Sequence, residues 1–248
     1  MFNYFKFALF TVISIIMALP RLIKIKLHPN NYSKEYIFKP IHDITKNALS
    51  VANIDVTIKG YENIPSEPVL FVANHASMLD GFILISSVNR PMGCAIADEP
   101  VWKKMPIVKD WTSLIKCVYI NRKNNREGIK SIVEASENII NGYSMGIFPE
   151  GDLTWVNDPN AIVSDFKGGA LKIAYKAKCP IVPVVIKNSD NTYEGYQPIG
   201  KINSKPVEVE FLKPIYDHIN DPKLKTTTLG ENIKNDMIHQ IELYKHAI

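Results

Sequence analysis

The sequence predicts an α/β fold: a mostly parallel or mixed central sheet flanked by helices, with an N-terminal membrane-associated helical segment. Three observations carry this. Short apolar runs of strand length alternate along the chain with longer segments of helical period. Runs such as 69–73 and 181–186 are apolar at nearly every position, as strands covered on both faces are. The first 34 residues hold an apolar run flanked by Lys6, Arg21, Lys24, Lys26 and Lys34, with no Asp or Glu. The chain therefore divides into N-terminal membrane-associated helices, 1–50, and an α/β domain, 51–248.

The elements follow in order. Residues 7–19 are apolar apart from Thr11 and Ser14, and Pro20 ends the run. A spanning helix needs about 20 apolar residues, a length reached here only if Phe2 to Phe5 join past a snorkelling Lys6. A cleaved signal peptide, a short spanning anchor and a helix half-immersed in one leaflet all fit. The last is preferred, because both flanks are basic, the run is short and no A-x-A-like cleavage site follows. Residues 37–50 place Ile37, Ile41, Ile44, Ala48 and Leu49 near helical spacing. Strands are expected at 54–58, 69–73, 94–97, 117–120, 145–148 and 181–186, and helices at 78–88, 126–141 and 166–178. Residues 187–204, rich in Asn, Gly and Ser, read as a surface loop. Val207, Val209 and Phe211 alternate with Glu208 and Glu210, which predicts a half-exposed edge strand. Residues 232–244 close the chain as an amphipathic helix.

Composition narrows the function classes. A hydrophobic content of 46% over 248 residues gives one domain a substantial core. The net charge of +4, without a basic stripe interleaved with aromatics, argues against a nucleic-acid partner. Cys94, Cys117 and Cys179 are odd in number, lack C-x-x-C spacing and sit beside apolar residues. They read as buried thiols in a reducing compartment, not a disulfide framework or a zinc site.

Chemistry gathers where strand 69–73 ends. The chain passes from apolar residues into Asn74, His75, Ala76 and Ser77, then into a helix carrying Asp80. Sites in α/β sheets form at such strand ends. Residues five apart on a continuous helix are rotated by about 140°. His75 and Asp80 therefore pair only across a turn, with Asp80 on the first helical turn and Ser77 as the candidate N-cap. A carboxylate on one imidazole nitrogen fixes the tautomer and raises basicity, and the other nitrogen can then deprotonate an alcohol. An isolated H-x4-D spacing favours a loop histidine beside a helix-start charge, so the downstream blocks decide.

Three blocks follow. Tyr119-Ile120-Asn121-Arg122 ends a strand in a basic cluster, where Arg122 can fork onto a phosphate or simply be solvated. Ile147-Phe148-Pro149-Glu150-Gly151 takes a buried strand into a carboxylate beside a glycine; it serves as well for a ligand's close approach as for an ordinary exit turn. Phe166-Lys167-Gly168-Gly169 opens a helix with a charge and two glycines.

The ordered series Asn74-His75-x4-Asp80, Tyr119-Ile-Asn-Arg122, Phe148-Pro-Glu-Gly151 and Ile181-Val-Pro-Val-Val185 resembles the four blocks of the 1-acylglycerol-3-phosphate acyltransferase family, over roughly residues 54–215. The first and third blocks are the specific ones. The resemblance implies a thioester donor (acyl-CoA or acyl-carrier protein), lysophosphatidic acid as acceptor and no metal or further cofactor. It makes His75 the base and Asp80 its partner. Arg122, Glu150 and Gly151 would hold the acceptor's phosphate and glycerol, with Asn74, Ser77 and Lys167 in support. The product would be phosphatidic acid for phospholipid biosynthesis. The enzyme would sit on the cytoplasmic face of a membrane, peripheral or monotopic through its N-terminal segment.

Three positions depart from the pattern. Asp152-Leu153 stands where the family often has Thr-Arg, Lys116 where the second block usually has glycine, and Asp98 where a lysine is common, with Lys103 and Lys104 nearby. The absent cations motivate other readings: an acyltransferase with another lipid acceptor, or a membrane-docked lipid-binding protein without turnover. A thioesterase-like hydrolase is a third. No G-x-S-x-G nucleophile elbow is present, so transfer is expected in one step, without an acyl-enzyme.

Overall fold

The computed structural model describes residues 2–97, 106–121, 124–194 and 200–246. Its centre is a seven-stranded sheet. In chain order the strands are β1 (Val56–Lys59), β2 (Leu70–Ala73), β3 (Met92–Ala97), β4 (Val118–Ile120), β5 (Ser144–Ile147), β6 (Ile181–Lys187) and β9 (Val207–Phe211). Their spatial order is β1-β9-β6-β2-β5-β3-β4. Every pairing is parallel except β6 with β9. A separate two-stranded ribbon joins β7 (Tyr193–Glu194) to β8 (Lys201–Ile202).

The apolar runs sort by period two, as sheet geometry requires. On β2, Phe71 and Ala73 face a layer built from α3 (Lys34–Val51) and α4 (Asp80–Ser87). Leu70 and Val72 face the opposite layer, formed by α6 (Asn125–Ile140), α8 (Lys172–Ala177) and α10 (Thr226–His246). Burying a side chain as large as Phe71, which is fully enclosed, stabilises by about 1.5–3 kcal/mol. β2 is thus the central strand of a three-layer sandwich, and the residue following it is fixed by rigid neighbours. Cys94, Cys117 and Cys179 are free and buried. Burial pushes the Cys179 thiol up to about 12.

Several expectations are corrected. β9 is not an edge strand: it pairs with both β1 and β6. Its glutamates meet cations, not open solvent. Glu208 lies 2.9 Å from the buried Lys187 and 2.8 Å from Lys59, and Glu210 also bonds Lys187. Alternating charge here marks an internal ion cluster. The helix expected at 166–178 begins only at Lys172, because residues 168–171 form a turn, with Ala170 N–H on Lys167 O at 3.0 Å, and Lys167 N–H donates to Pro149 O at 2.8 Å. The last helix starts earlier, at Thr226, with Leu229, Ile233, Met237 and Ile241 facing the sheet. The expected loop 187–204 contains the β7–β8 ribbon. Three further helices were not expected: α5 (Pro106–Leu114), α7 (Thr154–Asn157) and α9 (Asp217–Asn220).

The N-terminal helices are not one layer apart from the domain. α1 (Phe2–Met17) buries no residue, although Tyr4 and Phe7 lean on the core. α2 (Leu19–Leu27) buries Leu22 and Ile25, and α3 contributes Ile37, Phe38 and Leu49 to the core. Ser33 caps α3 by accepting Tyr36 N–H at 3.2 Å. Among the described residues no single helix is long and apolar enough to cross a membrane. α1 and α2 together pass on length and composition, bent by 41° at their junction.

Candidate active site

The centre is His75, placed just past the end of β2. Asn74 anchors it there: its buried amide donates to Ile186 O at 2.9 Å and accepts Ile186 N–H at 2.8 Å, extending the β2–β6 pairing through a side chain. The chain then turns. Asp80, fully buried at the start of α4, presents Oδ2 to His75 Nδ1 at 3.1 Å. The same oxygen accepts Ala76 N–H and Ser77 N–H, each at 2.7 Å. Asp80 Oδ1 is buried with no hydrogen-bond partner among the described residues. An ionised carboxylate only accepts, so this pairing puts the proton on Nδ1 and leaves the Nε2 lone pair for chemistry. Among the described residues nothing bonds Nε2, and 19% of the side chain is open. Phe148 stacks on the imidazole with ring centroids 4.3 Å apart and planes 23° apart, restricting its tilt. The turn between His75 and Asp80 is as expected, but Ser77 is not the N-cap. Leu79 holds that position, and Ser77 Oγ accepts Leu79 N–H at 3.2 Å.

Glu150 lies behind the histidine, not beside an open cleft. Its carboxylate is fully buried. Oε1 accepts the backbone N–H of His75 at 2.7 Å. Oε2 accepts Ser164 N–H at 2.7 Å and Ser164 O–H at 2.6 Å, and Thr154 Oγ1 lies 2.7 Å from it. Thr154 N–H also donates to His75 O at 2.7 Å. Both backbone groups of His75 are therefore held by the chain that follows β5. The expected contact between Glu150 and an acceptor hydroxyl has no open oxygen to use, because internal donors occupy the carboxylate.

Gly151 turns the chain with φ +80°, a region glycine enters without penalty. A Cβ there would approach Lys167 Cγ to 3.2 Å, so the exposed Lys167 stem lies across this glycine. Asp152, in place of the expected threonine, accepts the N–H of the adjacent Leu153 at 2.8 Å. Lys116 sits at φ +64°. That conformation costs a non-glycine residue about 1–2 kcal/mol, which accounts for glycine being the usual choice at that position of the second block. Arg122, Asp98, Lys103 and Lys104 lie outside the described residues. Among the described residues no group of three or more His, Cys, Asp or Glu side chains is placed to hold a metal ion.

Sequence reasoning missed Thr154, Ser164 and the stacking of Phe148 on His75. Phe148 belongs to the third block, but nothing local in the sequence places β5 beside β2, which is what brings its ring to His75. Ser164 stands 14 residues past Glu150 in a stretch without a motif, and nothing local marks it.

Known proteins resemble both the sequence and the fold. The family model described as Acyltransferase matches residues 55–187, the span that holds His75, Asp80 and Glu150. A probable 1-acyl-sn-glycerol-3-phosphate acyltransferase of Mycoplasma pneumoniae is 31% identical over 231 residues, covering 88% of this chain and 84% of that protein. A 1-acyl-sn-glycerol-3-phosphate acyltransferase of Saccharomyces cerevisiae is 29% identical over 190 residues, covering 76% of this chain and 60% of that protein. The crystal structure of the 1-acyl-sn-glycerophosphate (LPA) acyltransferase PlsC from Thermotoga maritima has the same fold, with a TM-score of 0.78 at 21% identity over 97% of this chain and 95% of that one.

Proposed function

The chain belongs to the 1-acyl-sn-glycerol-3-phosphate acyltransferase family, and on that premise we propose that it transfers a fatty acyl group from a thioester to the sn-2 hydroxyl of 1-acylglycerol-3-phosphate, forming phosphatidic acid. The observation that carries the reading is the His75–Asp80 contact of 3.1 Å, with Nε2 unengaged by the described residues. Nε2 takes the proton of the acceptor hydroxyl. The oxygen attacks the thioester carbonyl, the carbon–sulfur bond breaks, and the leaving thiolate takes the proton back from the imidazolium. The donor is acyl-CoA or acyl-carrier protein. General-base catalysis of this kind contributes about 10²- to 10⁴-fold.

The acceptor and product are lipids, and α1 supplies the membrane contact in this reading. Phe2, Phe5, Leu9, Val12, Ile13 and Ile16 are exposed along it, and Lys6 and Arg21 flank the apolar run. A half-immersed helix of this make-up lies in one leaflet and keeps the catalytic domain in the adjoining water.

The test is an acceptor panel. Labelled acyl-CoA and labelled acyl-carrier protein are each offered with lysophosphatidic acid, lysophosphatidylcholine, monoacylglycerol or water alone. Labelled phosphatidic acid as the main product is the expected result. Free fatty acid alone would make the protein a hydrolase, and binding without turnover would make it a lipid-binding protein.

A further inference from the structure

The ribbon β7–β8 reaches the catalytic turn through one buried hydroxyl. Thr192, immediately before β7, is fully buried, and its Oγ1 lies 2.7 Å from Ser77 Oγ, 115 residues away in sequence. Thr192 Oγ1 also lies 2.6 Å from Ser189 O. A carbonyl only accepts, so the single Thr192 proton goes to Ser189, and Ser77 must donate to Thr192. Ser77 Oγ meanwhile accepts Leu79 N–H at 3.2 Å. Both functions of the Ser77 hydroxyl are thus committed. The backbone N–H of the same Ser77 is one of the donors on Asp80 Oδ2, the oxygen that faces His75.

The ribbon itself is held in place. Asn203 N–H donates to Thr192 O at 3.0 Å, closing the ribbon behind the threonine. Tyr193 packs its ring 6.2 Å from that of Tyr4 on α1, and Asn3 Nδ2 donates to Ser204 Oγ at 2.8 Å. Thr192 therefore offers a fixed point to the catalytic turn, one that no local sequence signal around His75 contains.

We propose that Thr192 is a positioning residue for the transfer reaction: through Ser77 it fixes the turn that presents backbone N–H groups to Asp80, and so the geometry of the His75–Asp80 pair. The inference rests on the proposed role of His75 as the base. Thr192 touches no substrate. Its loss misplaces the base without removing any binding group, and small misplacements of a catalytic group cost on the order of tenfold to a hundredfold in rate.

The experiment compares wild type, Thr192→Val, Thr192→Ser, Ser77→Ala, the Thr192→Val/Ser77→Ala double variant and His75→Ala in steady-state acyl transfer, with melting temperature measured for each. Thr192→Val keeps the side-chain shape and removes the hydroxyl. The expected result is a tenfold or greater fall in kcat with the acceptor KM within about twofold of wild type. Thr192→Ser should restore kcat to within about threefold of wild type. Ser77→Ala, which leaves the ribbon untouched, should lose as much as Thr192→Val, and the double variant no more than either. An unchanged kcat in Thr192→Val, a loss confined to KM, or losses that multiply in the double variant would overturn the assignment while leaving His75 as the base. His75→Ala at wild-type rate, or a wild type without transfer, would overturn the role of His75 and the assignment with it.

Discussion

Glu150 accepts the backbone N–H of His75 at 2.7 Å, across 75 residues of sequence. The carboxylate lies under the catalytic turn, fully buried, while Ser164 and Thr154 occupy its other oxygen. A residue that the family pattern places with the acceptor is, in this chain, bonded to the backbone of the proposed base.

This makes Glu150→Gln informative. A carboxamide must turn its NH₂ toward a donor at one end or the other, leaving buried groups unpaired at about 1–3 kcal/mol. That lowers the melting temperature by about 2–4 °C per kcal/mol in a domain of this size. Transfer should fall in kcat, with the acceptor KM within about twofold of wild type. Kinetics beside a thermal melt check both. A rise in acceptor KM with unchanged kcat would return Glu150 to the acceptor.

Arg122 carries the acceptor assignment by sequence. Arg122→Ala should raise the KM for lysophosphatidic acid about ten- to a hundredfold, the loss of a charge-assisted contact of roughly 1.5–3 kcal/mol, and change the donor KM little. Monoacylglycerol, which has no phosphate, should be affected far less. Equal losses with both acceptors would make Arg122 structural.

In the proposed reading α1 carries the membrane contact, and its exposed face can be changed without touching the core. Leu9 and Ile13 are 47% and 46% exposed on a helix with no fully buried residue. Leu9→Glu with Ile13→Glu should reduce sedimentation with anionic vesicles and leave stability within about 0.5 kcal/mol per site. Deleting residues 2–26 should do more, since it also takes Leu22 and Ile25 from the core. Undiminished vesicle binding by the Leu9→Glu/Ile13→Glu variant would locate the membrane contact elsewhere.

His218 predicts a pH dependence of stability. It is buried, its Nε2 lies 3.0 Å from Cys179 O, and its Nδ1 has no hydrogen-bond partner among the described residues. Burial holds its pKa below the ordinary value of 6.5, although the Cys179 carbonyl and Asp217 oppose the shift. Between the lowered folded value and 6.5 the unfolded chain binds more protons, so stability rises with pH through that window and is lost on acidification below 6.5. Chemical denaturation at stepped pH should show this slope, and His218→Gln should flatten it. An identical slope in the variant would assign the effect to other groups.

Much of this was legible in the sequence, and the rest was hidden for physical reasons. The run 69–73 announced a covered strand, and β2 is the central one. His75 and Asp80 meet across a turn because helical geometry forbids them a common face. Glu208 and Glu210 misled because alternating charge reads as a solvent face, whereas their partner Lys187 lies on the neighbouring strand and is invisible to local pattern. Ser164 and Thr192 escaped for the same reason. Each acts by a hydrogen bond to a residue distant in sequence, and such contacts leave no periodicity. Glu150 was found by its motif, but only its burial reveals which way the carboxylate points.

His75, supported by Asp80, is the proposed base of acyl transfer to lysophosphatidic acid. The most direct measurement is single-turnover transfer of labelled acyl group to 1-acylglycerol-3-phosphate by wild type and His75→Ala, with folding checked by melting temperature. Labelled phosphatidic acid is expected from wild type, with a rate lower by about 10² to 10⁴ in a folded His75→Ala protein. A folded variant that forms phosphatidic acid at the wild-type rate would contradict it.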